Sequence, residues 1–148
     1  MKKSSIVFIM IVLLILCGCS SGGGSSSKTR NYADGTYSGR SSDFEEDESG
    51  NGSGYGTVEI TIKENKITAC TFTMYELDGT LKDDSYGADL SKENRLKAQK
   101  AVQSAEKYAE MLVNKGSLDD VDVISGATIS YNEFLEAVND ALSQAVSD

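Results

Sequence analysis

Two apolar segments joined by a two-residue turn place the strongest limit on how this chain can fold. Residues 57–63 alternate between apolar and polar side chains, and the apolar ones are Val58, Ile60 and Ile62. This period of two predicts a strand with one buried face. Glu64 and Asn65 follow, and Asn tolerates the positive φ of a tight turn. Residues 67–75 then read as the antiparallel partner strand, so the sequence predicts a β-hairpin.

The apolar positions of the second strand change phase along its length. Ile67 and Ala69 occupy odd positions near its start, whereas Phe72 and Met74 occupy even positions near its end. Because alternation in a strand has a period of two, this change indicates either a β-bulge or burial of both faces. A shorter strand is predicted upstream, at residues 35–39.

A long amphipathic segment predicts a helix over residues 91–115. Ser91 is a favoured N-cap and Gly116 a favoured stop. Its apolar stripe, which includes Tyr108, is interpreted as core packing. A second helix is predicted nearer the carboxyl end, so strands precede helices along the chain. That order favours the α+β fold class, with two helices packed on one face of an antiparallel sheet.

The second helix is preceded by a turn of small residues that carries a hydroxyl. Ser130 and Glu133 have the spacing of a capping box, which predicts a helix beginning near Tyr131. Thr128 lies two residues before this cap, where free N–H groups and the helix dipole stabilise an anion. Gly126 permits a positive φ or a close approach. The sequence therefore predicts a phosphate group at the Thr128 hydroxyl.

This segment resembles the flavinylation motif of the FMN-binding domain family. In that motif an Asp, two further residues and a Ser or Thr precede Gly-Ala-Thr, and here the match runs from Asp122 through Ser125 to Thr128. The resemblance implies that Thr128 carries FMN through a phosphoester. Gly126 and Ala127 would leave this hydroxyl reachable. Ser125 is a candidate donor to the phosphate, or else bonds only to its own turn, and Asp122 is a candidate for orienting a metal or the modifying enzyme, or else an ordinary carboxylate of an acidic surface loop. A small-residue turn that merely precedes a helix is the alternative.

The resemblance extends beyond the motif. Residues 34–39 and 54–67 are similar to the amino-terminal part of small FMN-binding domains, and residues 122–142 are similar to the carboxyl-terminal part. Together they imply an FMN-binding domain over residues 34–148. Tyr55, between two glycines, is a candidate for stacking on the flavin, or else a tyrosine at a strand start. The Pro-Gly-Leu-Gly turn of some family members is missing, since the chain has no Pro.

The composition limits the chemistry that the chain can perform alone. It contains no His, so a Ser/His or Cys/His nucleophile and an imidazole base are excluded. No catalytic residue and no metal site is predicted, and the chain reads as an electron carrier rather than an enzyme. The resemblance implies a separate flavin transferase that cleaves FAD, transfers FMN to Thr128 and releases AMP. An unassisted threonine is a poor nucleophile, which agrees with an external enzyme.

The amino-terminal end predicts export and lipid attachment. Residues 1–18 combine two lysines with an apolar run too short to span a bilayer, as in a lipoprotein signal peptide. Cys19 follows small Gly18 and is the predicted lipidation site. Residues 19–33 begin with Ser and Gly and read as a flexible tether. The mature protein is expected to be lipid-anchored on the extracytoplasmic face of a cell membrane.

The net charge of the mature chain limits which molecules it could bind. Removal of Lys2 and Lys3 leaves 12 of the 14 basic residues against 23 acidic ones, and 12 minus 23 gives a net charge of −11. This charge excludes nucleic acid as a partner and repels anionic lipid, so membrane attachment depends on the lipid anchor.

Cys70 would be the one free thiol after cleavage and acylation, and it is interpreted as a small core residue.

These features favour a flavoprotein that carries FMN covalently and relays electrons at the membrane or outside the cell. A membrane quinone or a membrane dehydrogenase is the expected electron donor. Two alternatives stay open at this level. One is an exported lipoprotein that binds FMN or another ligand reversibly, and the other is a surface protein without a cofactor.

Overall fold

The computed structural model describes residues 30–46 and 52–147. The predicted signal peptide, the lipidation site Cys19 and most of the tether lie outside the described residues. Within them, the strands are β1 (Gly35–Arg40), β2 (Tyr55–Lys63) and β3 (Lys66–Tyr75), and the helices are α1 (Lys92–Lys115) and α2 (Thr128–Ala145). A single 3₁₀ turn at Leu118–Asp120 separates the helices. No described helix is long and apolar enough to cross a membrane.

The three strands form an antiparallel sheet in the order β1-β2-β3. The hairpin between β2 and β3 turns at Glu64 and Asn65, whose φ angles are 51° and 60°. Two successive positive φ angles give the turn the right-handed twist that matches the flanking strands. The predicted two-residue hairpin is therefore confirmed.

The phase change in β3 is a β-bulge. Thr61 pairs with Ala69, whereas the next residue, Ile62, pairs with Ile67, so Thr68 has no opposite partner. The Thr68 hydroxyl donates a hydrogen bond of 3.2 Å to the Thr61 carbonyl oxygen. Because Ala69 is exposed, the bulge and not burial of both faces explains the pattern.

One face of the sheet carries the core. Helix α2 packs on β1 and β2, and α1 packs on β3, as the predicted α+β fold class requires. The core side chains include Val58, Ile60, Ile62, Phe72 and Met74 from the sheet and Tyr108, Leu112, Phe134, Val138 and Leu142 from the helices. The opposite face is polar, with Thr36, Thr57, Glu59, Thr61, Thr71 and Thr73 exposed or half-buried. The alternation read from β2 therefore assigned the buried face correctly.

Helix α2 approaches β1 closely at Gly39. A Cβ atom at this position would overlap the carbonyl oxygen of Ala137 and crowd the backbone of Ala141. Only glycine allows the strand and the helix to lie at this distance. This contact places α2, and hence its amino-terminal end, against the sheet.

Helix α1 has the bounds that its caps predict. The Asn94 N–H donates to the Ser91 hydroxyl at 3.3 Å, and Gly116 ends the helix with a φ of 72°. The Gly116 N–H donates to the Leu112 carbonyl oxygen at 2.8 Å. Both signals are local, which is why the sequence alone placed this helix correctly.

Candidate functional site

Helix α2 begins at Thr128, three residues before its predicted start. Ala127 takes the N-cap position without a side-chain hydrogen bond, and its carbonyl oxygen accepts from the Tyr131 N–H at 3.0 Å. The capping box predicted for Ser130 and Glu133 is therefore wrong. Both side chains are buried within the first turns of the helix, because the face that carries them packs inward. Thr128 is thus the first residue of the helix.

The turn before Thr128 has the geometry that its small residues indicated. Gly126 has a φ of 76°, and the Ala127 N–H donates to the Ile124 carbonyl oxygen at 3.0 Å. Ser125 and Thr128 are exposed, whereas Ala127 is buried. The left-handed glycine reverses the chain directly before the helix, so the Thr128 side chain is presented outward at the positive end of α2.

Tyr108 fixes this turn from α1. Its buried hydroxyl donates to the Ala127 carbonyl oxygen at 3.1 Å and accepts from the Ile124 N–H at 2.9 Å. Burial raises the pKa of Tyr108, so the hydroxyl keeps its proton. The sequence assigned Tyr108 to packing and missed these bonds. No sequence signal could have found them, because they join residues from different elements.

A cleft of about 850 Å³ opens beside the start of α2. Its walls are the loop of residues 76–90, the amino-terminal part of α1 and the first turns of α2. The lining includes Glu76, Lys82, Tyr86, Leu90, Lys97, Gly126, Ala127, Thr128, Ser130 and Glu133. The structure therefore brings three of the predicted site residues, Gly126, Ala127 and Thr128, into one cleft.

Two charged side chains are buried in this cleft. Lys82 is 8% exposed and Glu133 is 5% exposed. Burial raises the pKa of Glu133 and the nearby Lys82 ammonium opposes that rise. Burial lowers the pKa of Lys82, against the attraction of Glu133 and Glu76. The sequence did not single out Lys82, and it assigned Glu133 to a cap.

Two lysine side chains of α1 lie in or beside the cleft. A Cβ atom on Gly126 would lie 3.0 Å from the Lys100 ammonium nitrogen, so this cation lies beside the turn. Lys97 lines the cleft and forms an exposed ion pair of 3.3 Å with Glu93. Lys100 therefore places one positive charge beside the turn, in a chain whose net charge is −9.

Asp122 lies apart from the cleft lining. Its carboxylate accepts a bond of 2.8 Å from the Lys115 ammonium, and its side chain is 84% exposed. It ties the end of α1 to the segment before α2. The described residues contain no group of three or more Asp, Glu, Cys or His side chains placed to hold a metal ion. Asp122 thus lies in the segment between the 3₁₀ turn and α2, outside the residues that line the cleft.

Tyr55 lies on the other side of the sheet. Its ring stacks on Tyr75 with centroids 5.3 Å apart, and the Arg40 guanidinium lies 3.8 Å from its centroid. It alternates with Gly54 and Gly56, which are buried toward the helices. The structure does not bring Tyr55 together with Thr128, because neighbouring strand residues point to opposite faces.

Comparison with known proteins agrees with this site. The family model described as "FMN-binding domain" matches residues 52–143, which include every lining residue of the cleft except Glu46. The chain belongs to the FMN-binding domain family. Its family membership supports flavin binding, with FMN as the cofactor. No curated protein matches the chain.

A solved structure supports the fold of this FMN-binding domain. The crystal structure of the CPE2226 protein from Clostridium perfringens is similar, with a TM-score of 0.57 and 22% sequence identity. The match covers 77% of this chain and 88% of that chain. At this level of identity the likeness concerns the fold alone.

The residues of the cleft fit an FMN molecule. Its volume lies within the range of roughly 300–1,000 Å³ that is usual for small-molecule sites. The Glu133 Oε1 atom is buried in the lining without a hydrogen-bond partner among the described residues. Thr128 supplies a hydroxyl, and the Lys100 ammonium lies beside Gly126, two residues before it. The cleft therefore offers a polar contact for a ring and a separate place for a phosphate.

Proposed function

We propose that this protein is a flavoprotein that carries FMN as a phosphoester on the Thr128 hydroxyl and relays electrons. The observation that carries the proposal is the position of Thr128. It is the first residue of α2, it is exposed, and it lines a cleft of about 850 Å³. A phosphate bonded to its oxygen would meet the free N–H groups and the positive dipole end of the helix.

The attachment is a group transfer from FAD. The Thr128 hydroxyl oxygen attacks the phosphorus on the FMN side, the bond between that phosphorus and the bridging oxygen breaks, and AMP leaves. The hydroxyl proton passes to a base of the flavin transferase, and no atom changes oxidation state. The chain contains no His, so an external enzyme is the reasonable source of the base.

The protein's own residues bind and shield the cofactor. Gly126 adds no side chain next to Thr128, and Lys100, beside Gly126, would offset part of the phosphate charge. When bound, FMN supplies the redox chemistry, because the attachment through its phosphate leaves the isoalloxazine ring unaltered. Covalent attachment makes loading independent of the flavin concentration, whereas a micromolar site, about −8 kcal/mol, would stand largely empty in a flavin-poor medium.

We propose that the protein works at the extracytoplasmic face of a cell membrane. The support is the sequence of residues 1–18 with Cys19 after a small residue, and the tether that follows. A lipid on Cys19 would keep the FMN-binding domain within reach of membrane partners. A membrane quinone or dehydrogenase would then serve as electron donor. A Cys19→Ala variant is expected to leave the membrane fraction, and its retention there would contradict lipid anchoring at Cys19.

Intact mass spectrometry tests the attachment site. The full chain is coexpressed with a flavin transferase, as wild type and as Thr128→Ala, and the flavin adduct is expected only in the wild type. Thr80→Ala is the matched control, because Thr80 also lines the cleft and lies outside the motif. It should stay loaded. An unchanged adduct in Thr128→Ala would move the attachment to another residue.

Reversible binding of FMN is the second candidate function. The buried polar side chains of the cleft, Lys82 and Glu133, favour reversible binding as much as covalent attachment. Denaturing electrophoresis separates the two functions, since only an esterified flavin leaves a fluorescent band. A protein that is yellow when native but gives no fluorescent band would be a reversible FMN carrier. A colourless protein after coexpression would favour a surface role without a cofactor.

A further inference from the structure

We propose that Glu133 and Lys82 together recognise the pyrimidine edge of the flavin ring. Glu133 accepts a hydrogen bond from the ring N3–H, and Lys82 donates to a carbonyl oxygen beside it. The inference rests on the proposed flavin binding and names two residues that position the ring. Neither belongs to the Asp122–Thr128 motif, and neither is needed for the phosphoester.

Glu133 carries a buried hydrogen-bond acceptor that lacks a donor among the described residues. Glu133 is 5% exposed, and its Oε1 atom has no hydrogen-bond partner among the described residues. A buried carboxylate oxygen in this state destabilises the fold, because no hydrogen bond offsets the loss of its hydration. Since the side chain lines the cleft, a ligand with an N–H group could satisfy it there.

The second observation is a buried cation in the same cleft. Lys82 is held by its backbone, because its N–H donates to the Met74 carbonyl oxygen at 3.0 Å and Leu81 forms a bridge with Tyr75. Gly54 leaves room for the side chain, since a Cβ atom there would overlap the Lys82 ammonium. The ammonium lies 5.0 Å from the centroid of the Tyr86 ring.

Lys82 and Glu133 do not satisfy each other directly. Each affects the pKa of the other, yet no ion pair joins them in the described part of the chain. A ligand edge that presents a donor next to an acceptor would match both side chains. The isoalloxazine pyrimidine ring presents such an edge, with one N–H between two carbonyl groups.

The arrangement of charge distinguishes the two ends of the ligand. A phosphate at Glu133 would be repelled by the carboxylate, whereas the Lys100 ammonium lies beside Gly126, two residues before Thr128, and favours a phosphate there. The ring is thus directed to the Glu133 and Lys82 end of the cleft. The two contacts would orient the ring as well as hold it.

A fluorescence titration with two ring probes tests the Glu133 contact. Riboflavin has the ring N–H and no phosphate, and N3-methylriboflavin lacks that proton. The full chain, prepared without a transferase, is expected to bind riboflavin at least about tenfold more tightly than N3-methylriboflavin. This factor corresponds to the loss of one hydrogen bond to a charged group. In Glu133→Met this preference should fall to about twofold or less. Glu136→Met is the matched control, because Glu136 lies on α2 outside the cleft lining and bonds to Ser42.

A second substitution tests the Lys82 contact. Lys82→Met is expected to lower the affinity for both probes by a similar factor of about ten. The preference for riboflavin over N3-methylriboflavin should therefore remain. Lys66→Met is the control, because Lys66 lies at the start of β3 and outside the cleft lining, and this variant should bind both probes as the wild type does. Circular dichroism melting establishes that each variant is folded. The wild-type comparison of the two probes needs no variant.

The outcomes separate this inference from the proposed function. Equal binding of the two probes to the wild type, no riboflavin binding at all, or a full preference retained in Glu133→Met would each overturn the ring contact. None of these results depends on Thr128, because neither probe can form the phosphoester. Conversely, loss of the flavin adduct on coexpression would refute covalent attachment and leave the probe comparison valid.

Discussion

The Tyr108 hydroxyl donates a hydrogen bond of 3.1 Å to the carbonyl oxygen of Ala127, the residue directly before Thr128. Tyr108 is fully buried and belongs to α1, whereas Ala127 is the N-cap of α2. The same hydroxyl accepts from the Ile124 N–H. One helix therefore fixes the backbone from which the other begins, and with it the place of the proposed attachment site.

Tyr108→Phe should loosen the turn before Thr128. Removal of the hydroxyl leaves the Ile124 N–H without its partner, so we expect a loss of roughly 1–3 kcal/mol in the free energy of unfolding. Urea denaturation measures the loss, and the rate of flavin loading should fall as well. Tyr131→Phe is the control, since its hydroxyl makes one bond, to the Val121 carbonyl oxygen. An equal loss in both variants would contradict a special role for Tyr108.

Gly126→Ala and Gly116→Ala form a matched pair of left-handed glycines. Their φ angles are 76° and 72°, so alanine should destabilise the fold at either position by roughly 1–2 kcal/mol. Only Gly126 lies in the proposed site, where a Cβ atom also meets the Lys100 ammonium. We expect similar melting temperatures and slower flavin loading in Gly126→Ala alone. Equal loading rates would refute a role of the turn in access to Thr128.

Glu133→Gln should stabilise the protein without flavin at neutral pH. The folded-state pKa of Glu133 is raised by burial, so its stabilising contribution is present below the unfolded-state pKa and is lost as pH rises through the folded-state pKa. Gln resembles the protonated form at every pH. The variant should therefore gain stability over the wild type as pH rises through that window, on the order of 1 kcal/mol.

Urea unfolding at several pH values measures this difference. Glu136→Gln serves as the comparison, because hydrogen bonds from Ser42 lower the pKa of Glu136, the opposite direction. Its contribution is present above the unfolded-state pKa and is lost as pH falls. A stability difference for Glu133→Gln that shrinks with rising pH would contradict a buried carboxylate of raised pKa.

Gly39→Ala should separate β1 from α2. The new methyl group would overlap the backbone of Ala137, which cannot move without displacing the helix, so we expect a loss of about 3 kcal/mol. Gly35→Ala is the control in the same strand, because its methyl group would meet the Tyr37 side chain, which can shift. Thermal unfolding followed by circular dichroism compares them, and equal melting temperatures would count against close packing at Gly39.

Local signals in the sequence predicted much of the fold. The hairpin at Glu64 and Asn65 and the bounds of α1, with Ser91 and Gly116 as caps, depend on residues a few positions apart. The alternation in β2 assigned the buried face for the same reason. The capping box at Ser130 also has local spacing, yet it proved wrong, because packing of α2 against the sheet buried both of its members.

The sequence by itself determined the strands, the long helix and the turn that ends at Thr128, because hydrophobic period and backbone preference act between near neighbours. Only the tertiary structure decided that Lys82 and Glu133 share a cleft with Thr128 and that Tyr55 does not. These residues come from separate elements. Their meeting depends on how the loop of residues 76–90 and the two helices pack over one face of the sheet, a contact between distant parts of the chain that no local pattern specifies.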